Sequence, residues 1–139
     1  MTKEDYAKKA YQWAKALKLL DPSINLILCG ETGHSSWDAH VLKECLKPDQ
    51  HALGGSTTSS LIDMHSIHIY TTSISPVKNA FAPRSAERAI EICGSLIDLA
   101  RIENGVSSSV PRQKICFDEW NVCHPAELSI QASKTDTYR

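Results

Sequence analysis

The chain has 139 residues, of which 42% are hydrophobic and 22% charged, and its formal net charge at pH 7 is −1. This composition is ordinary for a soluble globular protein, and the length is enough for one domain with a core. Basic and acidic residues are interspersed, so no nucleic-acid-binding surface or membrane-surface patch is expected. No apolar run approaches the roughly 20 residues that are needed to span a bilayer.

Helical and strand-like patterns of apolar residues alternate along the chain. The first helix begins at a cap formed by residues 2–5 and ends at Asp21-Pro22, and the second is capped by Ser35 or Ser36. The predicted elements are a helix to residue 20, a strand over 24–29, a helix over 37–46, a strand over 61–70, a helix from 83 that ends at Asn104-Gly105, and a strand over 114–122. The tail over 124–139 has no clear period and is predicted to be a helix or a disordered segment.

This alternation predicts an α/β fold in which the strands form a parallel sheet joined by right-handed crossovers. Two architectures fit: a small doubly wound sheet, or a section of a (β/α)8 TIM barrel, which takes roughly 250 residues when complete. We favour the partial barrel for two reasons. The sequence opens on a helix rather than a strand, and polar residues gather at the C-terminal ends of the strands, where barrel active sites lie.

The densest group of chemically active residues lies in the last strand, around Glu119. Alternate residues of a regular strand share a face. One face is therefore expected to carry Ile115, Phe117, Glu119 and Asn121, and the other Cys116, Asp118 and Trp120. A carboxylate late in a barrel strand would project into the mouth of the barrel. The alternative is that Glu119 is a strand-end residue that simply reaches solvent.

In the second strand, Ser66, His68 and Tyr70 share one face, and Ile67 and Ile69 share the other. The isoleucines suit the layer between the sheet and the helices, so His68 and Tyr70 are expected to point into the barrel. There a tyrosine hydroxyl could hold a nucleophilic carboxylate ionised and oriented. A hydrogen-bonded core histidine and a tyrosine at the rim are the alternative.

Asp63, His65 and His68, together with Asp118, could instead be interpreted as metal ligands. However, His65 and His68 lie on opposite faces of a regular strand, so they cannot bind one ion without a bulge. We therefore disfavour a metal site and predict no cofactor.

The remaining aromatic residues and cysteines favour structural interpretations. Trp37 and Asp38 open the second helix, which favours a packed tryptophan beside a helix-start acid. Trp13 and Trp120 are predicted to lie in the core. The five cysteines include no Cys-x-x-Cys pair, and most lie in apolar segments, so a disulfide framework is not expected.

The string Phe117-Asp118-Glu119-Trp120-Asn121-Val122 resembles the nucleophile motif of family 51 glycoside hydrolases, the α-L-arabinofuranosidases. Supporting matches follow the order of the family, and their combination is more specific than any one of them. They are Tyr6–Ala10 with Asp21-Pro22, Ser36-Trp37-Asp38 with Val41-Leu42, Ile67–Tyr70, Ala86–Ile90 and Leu96–Arg101. The resemblance covers nearly everything from Asp5 to about Pro125.

The resemblance implies a retaining mechanism on a (β/α)8 barrel, of which the three strands would be the fifth, sixth and seventh. It implies that Glu119 is the catalytic nucleophile and that His68 and Tyr70 bind the substrate. That substrate would be a terminal arabinofuranosyl group of a plant oligo- or polysaccharide. The family's acid/base glutamate follows an asparagine at the end of the fourth strand, and no Asn-Glu pair occurs here. Cys123 also departs from the family, which usually has an aromatic residue near the sugar pocket.

The expected organisation is a partial catalytic barrel over residues 1–125 and a poorly matched tail over 126–139. Without the partner acid, the chain alone is expected to be inactive. Two alternatives stay open: a truncated, non-catalytic remnant and, with less support, a metal-dependent barrel hydrolase.

Overall fold

The fold alternates helices and parallel strands, as the sequence predicts. The computed structural model describes residues 1–48, 60–72 and 75–123. Its elements are α1 (Lys3–Leu20), β1 (Ile27–Leu28), α2 (Ser36–Cys45), β2 (Met64–Thr72), α3 (Pro76–Ala80), α4 (Pro83–Glu103) and β3 (Lys114–Cys123). Only α3 was not predicted, although Ser75 followed by a proline is a recognisable start signal. The predicted tail over 124–139 lies outside the described residues.

The three long helices begin and end close to where the sequence predicts. The side chain of Thr2 caps α1 by accepting the backbone N–H of Asp5 at 3.2 Å. Ser35, rather than Ser36, caps α2 and forms a reciprocal capping box with Asp38. Just beyond α4, Gly105 has a φ of +62°, a left-handed conformation that glycine adopts without strain. No helix within the described residues is both long enough and apolar enough to cross a membrane.

The strands form one parallel sheet in the order β1-β2-β3. β1 is much shorter than the predicted strand over 24–29. The reason is that the flanking backbone N–H groups bind side chains instead of a neighbouring strand. The N–H of Leu26 donates to Oδ2 of Asp63 at 2.8 Å, and the N–H of Cys29 donates to the hydroxyl of Tyr6 at 2.9 Å.

A β-bulge interrupts the pairing of β2 with β3. Ile67 pairs with Phe117, but the next residue, His68, pairs with Glu119, so Asp118 is the extra residue of β3. Paired residues of parallel strands point to the same face, and Phe117 therefore faces the helices together with Ile67. The regular alternation that we predicted for β3 is wrong at this point.

The bulge changes which residues of β3 share a face. Ile115 and Phe117 pack against the hydrophobic core instead of sharing a face with Glu119. Cys116 pairs with Ser66, and so lies on the face opposite to them. Glu119 nevertheless reaches the face of His68, because the extra residue reverses the alternation after Phe117.

The hydrophobic core lies between the sheet and the long helices. Each of these elements contributes side chains that are buried within it. The largest fully buried members are Leu28, Val41, Leu42, Cys45, Ile67, Cys93 and Ile97, and α1 contributes the buried Ala7 and Ala14. In α4 the buried residues recur at helical spacing, as the sequence predicts. The core thus fixes one face of the sheet and leaves the other to carry polar side chains.

Candidate functional site

The candidate site lies where β2 and β3 end. The hydroxyl of Tyr70 donates a hydrogen bond to Oε2 of Glu119 at 2.9 Å. Both side chains are exposed, with 53% of Tyr70 accessible to solvent, so the carboxylate can meet a molecule that arrives from outside. A donor on one carboxylate oxygen stabilises the ionised form and fixes its orientation. The predicted meeting of Glu119 and Tyr70 at the C-terminal strand ends is therefore confirmed.

His68 lies beside this pair and contacts the bulge. Its Nε2 is 3.2 Å from Oδ1 of Asp118 and 3.3 Å from the hydroxyl oxygen of Ser66. Its backbone N–H donates to the carbonyl of Glu31 at 2.6 Å. The predicted placement of His68 with Glu119 is also confirmed, while the contacts with Asp118 and Glu31 were not predicted. They depend on the bulge and on a loop that follows β1.

The thiol of Cys29, which follows β1, lies near the same carboxylates. Burial raises its pKa, a hydrogen bond with Ser66 opposes that rise, and the negative charges of Asp118 and Glu119 add to it. Sequence reasoning missed Cys29 as a neighbour of the site. Its position at the end of the predicted first strand was the available signal, since the C-terminal ends of parallel strands share one edge.

A buried polar pair occupies the opposite face of β2. Nε2 of His65 is 2.9 Å from Oδ1 of Asp38, and both side chains are completely buried. Asp38 is therefore an acid at the start of α2, as predicted, but its burial against His65 was not predicted. Its neighbour Trp37 packs against Tyr6 with ring centroids 5.1 Å apart and ring planes tilted by 33°, which fits the predicted packed tryptophan.

The metal-site alternative finds no support in the part of the chain that the structure describes. There, no three side chains of His, Cys, Asp or Glu are grouped in a way that could hold an ion. His65 bonds to Asp38, whereas His68 contacts Asp118 on the other side of the sheet. Asp63, at the opposite end of β2, pairs with Lys18 at 2.9 Å.

The other two tryptophans correct our prediction that they lie in the core. Trp13 is 67% exposed and Trp120 is 72% exposed. Trp13 precedes the buried Ala14 on α1, but its side chain does not share the buried face of the helix. It lies beside the half-exposed Ile27. Trp120 lies three residues beyond Phe117, which packs against the core, and is nearer the end of β3. The cysteines described with their side chains, Cys29, Cys45, Cys93 and Cys116, are free.

Comparison with known proteins gives consistent relatives over the whole chain. No protein-family model matches. The chain is 60% identical over 138 residues to a probable α-L-arabinofuranosidase C of Aspergillus niger, covering 99% of this chain and 27% of that protein. It is 57% identical over 137 residues to α-L-arabinofuranosidase C of Emericella nidulans, again covering 99% and 27%.

A solved structure matches as well. It is that of a family 51 α-L-arabinofuranosidase from Bifidobacterium longum, with a TM-score of 0.70 and 21% identity, covering 99% of this chain and 26% of that one. At this identity the match shows the fold alone. The arrangement of helices and parallel strands is thus shared with a glycoside hydrolase. The chain is thus similar, at identities of 57–65%, to proteins named α-L-arabinofuranosidase C. It spans 27% of the length of such relatives.

Proposed function

We propose that this chain is a section of the (β/α)8 catalytic barrel of a retaining α-L-arabinofuranosidase, and that it supplies the nucleophile, Glu119. In this proposal residues 1–125 belong to the barrel, residues 126–139 form the poorly matched tail, and β1, β2 and β3 are its fifth, sixth and seventh strands. The observation that carries the proposal is the contact between Tyr70 and Glu119 at the C-terminal strand ends. That edge is where barrel enzymes place their chemistry.

In the proposed reaction Glu119 attacks the anomeric carbon of a terminal arabinofuranosyl group. A covalent glycosyl ester forms as the bond to the leaving oxygen breaks, and water then hydrolyses the ester to release arabinose. Tyr70 holds the attacking carboxylate in place through its hydroxyl. His68, on the same face, binds the sugar.

Retaining hydrolysis needs a second carboxyl group about 5–5.5 Å from the nucleophile, which protonates the leaving oxygen. We assign that role to a residue outside this sequence, in the part of the relatives' length that the chain does not cover. The substrate is then an arabinofuranosyl-containing oligo- or polysaccharide, bound by a complete barrel.

The test restores the rest of the barrel. In the α-L-arabinofuranosidase C of Emericella nidulans, the matching 137 residues are replaced by this chain. We call the product the grafted enzyme. Hydrolysis of an aryl α-L-arabinofuranoside is measured, and we expect activity that Glu119→Gln lowers by at least about 10³-fold, because the nucleophile is lost. Glu91→Gln is the matched control, since Glu91 is an exposed residue of α4 that pairs with Arg88.

Two results would contradict the proposal. A grafted enzyme that folds but is inactive, beside an active host enzyme, would favour the non-catalytic remnant. Activity that survives Glu119→Gln would overturn the nucleophile assignment.

A further inference from the structure

The proposed reaction makes no use of the buried pair formed by Asp38 and His65. Neither side chain is accessible to solvent, and they lie on the helix-facing side of β2, away from Glu119. A carboxylate this deeply buried is costly unless its oxygens receive hydrogen bonds. The contacts of Asp38 therefore indicate what the pair is for.

Asp38 receives four hydrogen bonds, and most come from the loop between β1 and α2. Its Oδ1 accepts from Nε2 of His65 at 2.9 Å and from the backbone N–H of Glu31 at 2.8 Å. Its Oδ2 accepts from the backbone N–H of Ser35 at 3.0 Å and from the Ser35 hydroxyl at 2.8 Å. Burial alone would raise the pKa of Asp38, but these bonds outweigh it and hold that pKa well below its ordinary value. The carboxylate thus ties both ends of the loop to one point.

The position of His65 fixes its tautomer. Nδ1 of His65 is buried and has no hydrogen-bond partner among the described residues. A proton on Nδ1 would be an unsatisfied buried donor, so the ring carries its proton on Nε2 and donates it to Asp38. His65 is therefore a fixed donor that anchors the carboxylate to β2.

The loop backbone passes directly against this pair. A side chain at Gly30 would begin 2.5 Å from Nε2 of His65 and 2.7 Å from Oδ1 of Asp38, closer than atoms can approach. One residue later, the carbonyl of Glu31 accepts the backbone N–H of His68 at 2.6 Å. The same peptide segment thus bonds to Asp38 through its N–H and to the candidate site through its carbonyl.

We propose that Asp38 is a positioning residue for the candidate site: anchored by His65, it fixes the Gly30–Ser35 loop so that Glu31 holds the backbone of His68 in place to bind the sugar. This inference rests on the proposed function, since it assigns His68 the task of binding arabinofuranose. Asp38 itself never touches the substrate. Its effect travels through the backbone of one residue, Glu31, whose N–H binds Asp38 and whose carbonyl binds His68.

The test uses the grafted enzyme with Asp38→Asn. The asparagine side chain has nearly the same size, but its NH2 group cannot accept the hydrogen bonds that the loop donates to a carboxylate oxygen. One attachment of the loop is therefore lost. We expect KM for the aryl arabinofuranoside to rise roughly tenfold, because the sugar-binding group is misplaced. Titration with an arabinofuranose-configured epoxide, which esterifies the nucleophile, gives the active fraction, and we expect that fraction to be unchanged. A merely structural role would instead lower the active fraction and leave KM as it was, and this result would overturn the proposal.

Two further variants guard against misfolding of Asp38→Asn. His65→Gln keeps a side-chain donor for Asp38, and should keep KM within about twofold of the unmodified graft, whereas His65→Leu removes the donor and should raise KM as Asp38→Asn does. Equal KM values for these two variants would overturn the proposal. Asp98→Asn is the control, because Asp98 is an exposed carboxylate that binds Arg112.

A separate measurement distinguishes failure of the proposed function from failure of the positioning role of Asp38. If the unmodified grafted enzyme folds but is inactive, the proposed function fails, and the loop is judged in that folded grafted enzyme by amide hydrogen exchange at His68. Faster exchange in Asp38→Asn than in Asp98→Asn would support the positioning contact. Equal exchange would overturn it.

Discussion

At the scale of single residues, the candidate site depends on one donor and one acceptor. Tyr70 donates to Glu119 from the neighbouring strand, at 2.9 Å. A carboxylate held by a donor keeps one oxygen free and aimed, whereas a freely rotating one must be ordered during each reaction. The hydroxyl of Tyr70 is therefore the atom whose removal is most informative.

We predict that Tyr70→Phe in the grafted enzyme lowers kcat/KM by roughly tenfold or more, since a hydrogen bond to a charged group is lost. Kinetics with the aryl arabinofuranoside measure the effect. Tyr11→Phe is the matched control, because Tyr11 is a tyrosine of α1, outside the candidate site. Its ring centre lies 5.8 Å from Nζ of Lys15. An unchanged kcat/KM in Tyr70→Phe would show that the hydroxyl does not orient the nucleophile.

The cysteines are predicted to differ in reactivity. Burial raises the pKa of the Cys45 and Cys93 thiols to about 12, so almost no thiolate forms at pH 8 and reagents cannot reach it. Cys29 is exposed. We expect iodoacetamide at pH 8 to label Cys29 in the folded grafted enzyme, and to label Cys45 and Cys93 only after unfolding, as measured by peptide mapping. Equal labelling rates for Cys29, Cys45 and Cys93 would contradict the burial of Cys45 and Cys93.

At the scale of structural elements, two irregular features bring the site together. The bulge at Asp118 turns Glu119 to the face of His68. The loop after β1 stays against the sheet, and its backbone runs so close to β2 that a side chain at Gly30 would begin 2.1 Å from the carbonyl oxygen of Ser66. Both features depend on backbone geometry that a larger or differently placed side chain would disturb.

We predict that Gly30→Ala destabilises the grafted enzyme by about 3 kcal/mol, because the added methyl group meets backbone and buried atoms that cannot move freely. Thermal unfolding is the measurement. Gly94→Ala is the control: its methyl group would lie 3.2 Å from Nη2 of Arg112, the far end of a half-exposed side chain rather than a backbone atom. In a helix, alanine is also favoured over glycine by about 1 kcal/mol. The idea fails if Gly30→Ala melts no lower than Gly94→Ala.

At the scale of the whole molecule, the described sheet has two open edges. In the order β1-β2-β3, each outer strand pairs on one side only within the described ranges. Large apolar side chains such as Ile27 and Trp120 are at least half exposed. Unpaired strand edges beside exposed apolar surface favour association between chains.

We therefore predict that the 139-residue chain by itself is aggregation-prone or molten. Sedimentation and near-ultraviolet circular dichroism measure this, and we expect large species or a weak tertiary signal. A soluble monomer with a sharp two-state melt would contradict the prediction.

We also predict that the chain alone releases no measurable arabinose from arabinan or arabinoxylan. Protonation of the leaving oxygen by a general acid accelerates hydrolysis about 10²–10⁴-fold. The sugar contacts of a complete barrel are also needed to position the substrate. An activated aryl arabinofuranoside is a gentler probe, since its leaving group departs without a proton. Intact-protein mass spectrometry would show any adduct, which Glu119→Gln should abolish. Robust turnover of the polysaccharide by the chain alone would refute the proposal that the acid lies elsewhere.

The three long helices, the parallel strands and the meeting of Tyr70 with Glu119 were predictable from the sequence. Helix ends follow from local capping, and residues late in neighbouring parallel strands share one edge of the sheet. Only the tertiary structure decided the bulge at Asp118 and the Asp38–His65 pair. A bulge arises when two strands contribute unequal numbers of residues to their pairing, and this pair joins residues 27 apart. Neither property is local, so no pattern within one segment of the sequence can encode it.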